Sequence, residues 1–146
     1  MEAYTKILFP TDLGEGSMQV ARHVKEMASK FGAEVHIIYV AHVVSYYSTI
    51  QVPTTGIADL EGEIITAAEN QLEELVENEF SGFQVSSKVL SGNPADGILE
   101  YAHDNGIDLI IMGHSRAGLE RVLLGSVAHR IVKLSDIPVM IVRSSE

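Results

Sequence analysis

An open α/β sheet of about five parallel strands, with helices on both faces, is the fold class that this 146-residue sequence predicts. Three observations carry it. Short apolar runs recur along the chain, each short enough for a strand and continuous enough to be covered on both faces. Between them lie stretches whose apolar residues fall at helical spacing. Gly32, Gly82 and Gly106 each stand between such a stretch and the next apolar run, where glycine ends a helix with least strain. Strands separated by helices need crossover connections, and crossovers impose parallel pairing.

The first strand reads Lys6-Ile7-Leu8-Phe9-Pro10-Thr11. Ser17 then offers a helix N-cap, and Val20, Val24, Met27, Ala28 and Phe31 follow on one stripe that ends at Gly32. The second strand covers residues 35–40. A loop containing Tyr46, Tyr47, Ile50, Pro53 and Gly56 leads to a helix whose Ile64, Ile65, Ala68, Leu72, Leu75, Val76 and Phe80 share one face. Val85 and Val89-Leu90 mark the third strand. Asn93-Pro94 then supplies a cap followed by proline at the first helical position, where a missing N–H costs nothing. That helix runs through Ile98, Leu99 and Ala102 to Gly106. The fourth strand is Leu109-Ile110-Ile111-Met112, the last helix starts near Ser126 and ends near Leu134, and Asp136 and Pro138 lead into a fifth strand at 139–142. No linker, low-complexity segment or repeat beyond the strand–helix unit interrupts this order, so residues 1–146 read as a single domain.

The charge is unevenly placed. The net value is −10, yet residues 31–87 hold nine acids and no Lys or Arg, leaving only −1 for the rest. Glu69, Glu73, Glu74 and Glu77 lie mainly off the apolar stripe of their helix and read as a solvated face. Nucleic acid is excluded as a partner, because phosphate neutralisation needs clustered Lys and Arg. An anionic membrane surface is excluded for the same reason, and no apolar run approaches the ~20 residues of a membrane span. The chain has no cysteine, so no disulfide or thiolate site exists and a reducing compartment fits. Met1-Glu2-Ala3-Tyr4 followed by Lys6 does not read as a signal peptide. The expectation is a cytoplasmic protein.

In open parallel sheets, ligands sit outside the carboxyl ends of the strands, where the strand order reverses. The residues at those ends here are Pro10-Thr11-Asp12, Val40 and Met112-Gly113, the last feeding a segment that reaches Gly125-Ser126 at a predicted helix start. That segment suits an anion. Its glycines allow close backbone approach, and the helix start offers free N–H groups and the positive end of the macrodipole. Residues 114–133 carry Arg116, Arg121, Arg130 and Lys133 against Glu120 alone, a local +3.

Four motifs now give the chain a resemblance. The opening Lys-Ile-Leu-Phe-Pro-Thr-Asp, the strand end Ile-Ile-Met-Gly, the turn Leu-Leu-Gly-Ser-Val and the closing Ile-Pro-Val-Met-Ile-Val resemble, in order and spacing, the universal stress protein family. The resemblance implies a Rossmann-like sheet in the order 3-2-1-4-5 and a homodimer paired through the last strand, residues 138–142. It further implies an ATP site, for ATP or another adenine nucleotide, with Mg²⁺ as an optional companion. Carried over by position, Pro10, Thr11 and Asp12 border the base and ribose, Val40 meets the base, and Met112 and Gly113 line the ribose. Gly125, Ser126 and Val127 hold the phosphates, with Ser115, Arg116 and Gly118 on the connecting loop.

One departure stands out. The family's nucleotide motif spaces its first and third glycines by twelve residues, and Gly113 and Gly125 are separated by eleven. Arg116 occupies the middle glycine's position and Gly118 is the nearest glycine. A guanidinium there offers bidentate contact to phosphate, while a shorter loop favours adenosine phosphates smaller than ATP.

The remaining chemistry is sparse. The six histidines show no metal spacing, and His114 and His129 read as surface residues beside the phosphate segment. No Gly-x-Ser-x-Gly elbow and no Walker lysine occurs, so no enzyme is expected. Asp12 reads either as a ligand contact or as an Asx turn. The expected role is a nucleotide-binding regulatory module in stress response. The alternative is a nucleotide-free interaction protein of the same family, working through its dimer and acidic-helix surfaces.

Overall fold

The computed structural model describes residues 4–42, 54–114 and 125–143. Five strands and four helices alternate: β1 (Lys6–Pro10), α1 (Ser17–Phe31), β2 (Glu34–Ala41), α2 (Thr54–Glu79), β3 (Val85–Ser91), α3 (Pro94–Asp104), β4 (Leu109–Gly113), α4 (Ser126–Leu134) and β5 (Val139–Val142). The strands form one sheet in the order β3-β2-β1-β4-β5, and every pairing is parallel. The register sets Ile7 opposite Val35 and Leu109, and Ile110 opposite Val139.

Side chains alternate across a strand, so each apolar run feeds two cores. Ile7, Phe9, Val35, Ile37, Leu109 and Ile111 face α1 and α2 together with Val24, Leu72 and Phe80. Leu8, Ile38, Val40, Ile110 and Met112 face α3 and α4 with Ile98 and Ile131. That double burial is why the runs are continuous rather than alternating in polarity. At the end of α1, Gly32 takes φ 66°, the left-handed conformation that lets its N–H reach Ala28 O.

The two sheet edges differ. On β3, Ser86, Ser87 and Lys88 are exposed, a polar edge of the kind that resists further pairing. On β5, Val139, Met140 and Ile141 are half-buried, and Val132 and Leu134 on α4 are about half exposed. No described helix is long and apolar enough to cross a membrane.

Two local expectations change. Ser17 is the first helical residue rather than the cap; Gly16 holds the cap position without a side-chain bond. Gly56 lies inside α2, which begins at Thr54, rather than in the connection before that helix. Tyr46, Tyr47, Ile50 and Pro53 lie outside the described residues.

A polar chain crosses the second core at the amino ends of the strands. Buried His36 on β2 is hydrogen-bonded through Nε2 to Glu34 Oε2 at 2.8 Å and through Nδ1 to the Tyr101 hydroxyl at 2.7 Å. A carboxylate can only accept, so Nε2–H donates to Glu34, and Nδ1 and the Tyr101 hydroxyl share the second bond. Burial first, and the Glu34 charge second, raise the Tyr101 pKa above its usual 10.0. The unfolded chain therefore ionises this tyrosine before the folded one does. Its contribution is fully present below the ordinary tyrosine value and is lost as pH climbs through the raised one. Melting followed from about pH 8 to about pH 11 should fall less steeply for Tyr101→Phe than for the parent chain. An equal decline would mean that the hydroxyl ionises as freely folded as unfolded.

Candidate functional site

The strand order reverses between β1 and β4, because β2 and β3 lie on one side of β1 and β4 and β5 on the other. A cleft of about 740 Å³ opens there, lined from the carboxyl ends of the strands and the amino ends of α1, α3 and α4. That volume suits a mid-sized organic ligand.

Its wall on the β1 side is a tight turn held by side chains. Leu13 N–H donates to Thr11 Oγ1 at 2.9 Å, and Gly14 N–H donates to Asp12 Oδ1 at 2.8 Å. Thr11 Oγ1 lies 2.8 Å from Ser17 Oγ, which reaches Asp12 Oδ1 at 3.4 Å. Because the carboxylate accepts, the hydroxyl protons run in one direction, Thr11 to Ser17 to Asp12. Thr11 and Ser17 are buried, and Asp12 is exposed. Leu13 takes φ 60°, a conformation costly for a leucine that is sustained only when the surroundings over-determine it. Asp12 thus makes the Asx turn and also stands at the cleft.

The floor is apolar. Val40 and Met112 are buried in it, and Gly97 on α3 brings that helix onto Val40, since an added Cβ would lie 3.4 Å from both Val40 methyls. Gly113 serves a similar purpose toward Val20, whose Cγ2 an added Cβ would meet at 3.5 Å.

Three helix amino ends face the space, and they are unequal. At α1, Ser17 N–H donates to Gly14 O and Val20 N–H to Gly16 O. At α3, Asn93 Oδ1 accepts from Asp96 N–H at 3.0 Å, the predicted cap. At α4, Gly125 makes no side-chain cap among the described residues. Its own N–H donates to His114 O, which joins the ends of the loop 115–124. Gly125, Ser126, Val127 and Ala128 line the cleft, and the first-turn N–H groups of a helix point out beyond its amino end, the arrangement that favours an anion.

Of the sequence-predicted site residues, Pro10, Thr11, Asp12, Val40, Met112, Gly113, Gly125, Ser126 and Val127 all line this one cleft. Ser115, Arg116 and Gly118 lie outside the described residues. His114 is 5% exposed and lines the cleft, which corrects the expectation of a surface residue; His129 is exposed as expected. The reason is placement: His114 directly continues β4, so its ring stays with the strand. Asn93, Pro94, Ala95 and Ile98 also line the cleft and were missed as site residues. The rule that found β1 and β4 would have found them, since they follow the carboxyl end of β3. Asp12 is the one acid and Arg130 the one Arg or Lys among the described lining residues. No group of three metal-ligating side chains occurs among the described residues.

Comparison with known proteins adds a family. The model of the universal stress protein family matches residues 3–143. Universal stress protein MJ0531 of Methanocaldococcus jannaschii is 36% identical over 143 residues, covering 96% of this chain and 82% of the relative. MJ0577 of the same organism is 31% identical over 154 residues, covering 96% of this chain and 95% of the relative. The solved structure of MJ0577 matches with a TM-score of 0.83 at 30% identity over 99% of both chains. A universal stress protein from Archaeoglobus fulgidus, solved in complex with dAMP, matches with a TM-score of 0.65 at 19% identity, covering 95% of this chain and 98% of that one. At that identity the likeness is one of fold.

Proposed function

The chain belongs to the universal stress protein family, and we propose that its cleft binds an adenine nucleotide as the input of a regulatory module. The observation that carries this reading is the amino end of α4 at Gly125, without a side-chain cap among the described residues, which lines the cleft where the strand order reverses. The base and ribose lie along Val40, Met112 and Gly113. The phosphates meet the N–H groups of Ser126 and Val127 and the Ser126 hydroxyl. A related fold that holds dAMP supports the choice of an adenosine phosphate. Mg²⁺ would arrive on the phosphates with Asp12 as its one lining carboxylate, since this ion is commonly held by one or two carboxylates plus phosphate oxygens.

Binding rather than turnover is the proposed role. The Thr11, Ser17 and Asp12 polar groups are engaged in holding the β1–α1 turn, which leaves them poorly placed to activate a nucleophile. The output is a homodimer paired through β5, for use in stress response. The half-buried Val139, Met140 and Ile141 on an open sheet edge, beside exposed Val132 and Leu134, support that surface.

The test begins with denaturing the purified protein and chromatographing what it releases, followed by calorimetric titration of ATP, ADP and AMP with and without Mg²⁺. Released adenine nucleotide, or saturable heat with Kd below about 1 mM, is the expected result. No release and no heat at millimolar nucleotide would reject it and leave the nucleotide-free interaction protein, for which the apolar β5 edge alone speaks.

A further inference from the structure

An ion pair ties the first turn of α3 to the middle of α4 on the second core side of the cleft. Arg130 Nη2 on α4 donates to Asp96 Oδ1 on α3 at 3.2 Å. Both side chains are more than half exposed, so neither is locked by packing. Asp96 is not needed as the α3 cap, because Asn93 Oδ1 already accepts its N–H. Arg130 is the fifth helical residue after Gly125, and side chains on a helix lean toward its amino end. Its guanidinium therefore has one negative partner in place, the Asp96 carboxylate, and lies beside the anion-favouring amino end of α4, where a bound phosphate would offer a second. It lines the cleft, and Asp96 does not.

We propose that Arg130 is the side chain that reads phosphate charge in this cleft, and that Asp96 is its resident competitor, displaced from the guanidinium when a nucleotide binds. The inference rests on the nucleotide reading and goes further, since it names a residue outside the transferred motif and a bond that occupancy breaks. A carboxylate and a phosphate offer the guanidinium similar paired oxygens, and the phosphate carries more charge. Loss of the Arg130–Asp96 contact removes an ion pair between α3 and α4, which also share a core, and so carries occupancy from the cleft to the helix that flanks β5.

Calorimetry of ATP, AMP and adenosine on four full-length proteins tests this: the parent chain, Arg130→Gln, Asp96→Asn and the double variant. Melting temperatures confirm that each is folded. Arg130→Gln should weaken ATP about tenfold, as expected for a charge-assisted contact, and should leave adenosine unchanged. Asp96→Asn should tighten ATP about threefold, the scale of an exposed pair, and should lose most of that gain once Arg130 is gone. An equal gain in both backgrounds would mean a bulk charge effect and overturn the competition. A weakening by Asp96→Asn would make Asp96 an orienting partner and overturn it too. Arg130→Gln acting equally on adenosine and ATP would remove Arg130 as the phosphate reader. If the parent chain binds none of the three ligands, the nucleotide reading itself fails, a result distinct from each of these.

Discussion

Replacing Gly125 by valine is expected to lower affinity for ATP at least about tenfold, because it covers charge-assisted backbone donors each worth about 1.5–3 kcal/mol. Gly125 sits at φ −64° and ψ 161°, extended backbone in which a β-branched residue is at ease. Its N–H keeps the bond to His114 O whatever side chain it carries. The fold should therefore tolerate the change, with melting moved by no more than about 4 °C, or about 1 kcal/mol for a chain of this size. The ligand should not tolerate it. A valine Cβ with two methyl groups stands beside the first-turn N–H groups of α4, where the phosphates are expected, and excludes them sterically. Calorimetry with ATP, read against the melting curve, separates the two effects. Intact affinity in a folded Gly125→Val protein would move the phosphate site away from α4.

Truncation of Phe80 to alanine should give the largest loss of stability, about 3–5 kcal/mol. Phe80 is 1% exposed at the exit of α2. Its ring packs against Phe9 at 6.2 Å between centroids and edge-on to Phe83 at 5.8 Å. Removing it leaves a cavity between α2 and the strand that carries the site, and relaxation cannot fill it without moving β1. Against a total stability of about 5–15 kcal/mol for a domain of this kind, the variant should remain folded with a much lower urea midpoint. Since Phe9 also lines the cleft, saturating ATP should restore part of the loss, about 2.7 kcal/mol at a hundredfold excess over Kd. A loss below about 1 kcal/mol would mean that the aromatic cluster is not a packed unit.

The strands were legible in the sequence because burial on both faces leaves no room for polar alternation. Ile7, Leu8 and Phe9 are each at most 1% exposed although they point to opposite sides. The Asn93 cap was legible for a different reason, being a local bond between residues three apart. Ser17 misled because a serine before a helical stripe reads as a cap. Its hydroxyl instead answers Thr11 and Asp12, a contact set by the path of the β1–α1 turn rather than by spacing. Gly56 misled because glycine disfavours a helix by only about 1 kcal/mol relative to alanine, too little to stop a 26-residue helix already propagating. His114 misled through its polarity, and its burial follows from the strand it continues. The Arg130–Asp96 pair joins residues 34 apart, and no local pattern marks it.

The claim on which the rest depends is that phosphate sits at the amino end of α4. Two-dimensional amide NMR of the ¹⁵N-labelled protein, titrated with ATP and separately with adenosine, addresses it most directly. Large shifts of the Gly125, Ser126 and Val127 amides with ATP, much reduced with adenosine, are the predicted result. Saturable binding of ATP that leaves those three amides unmoved would contradict it.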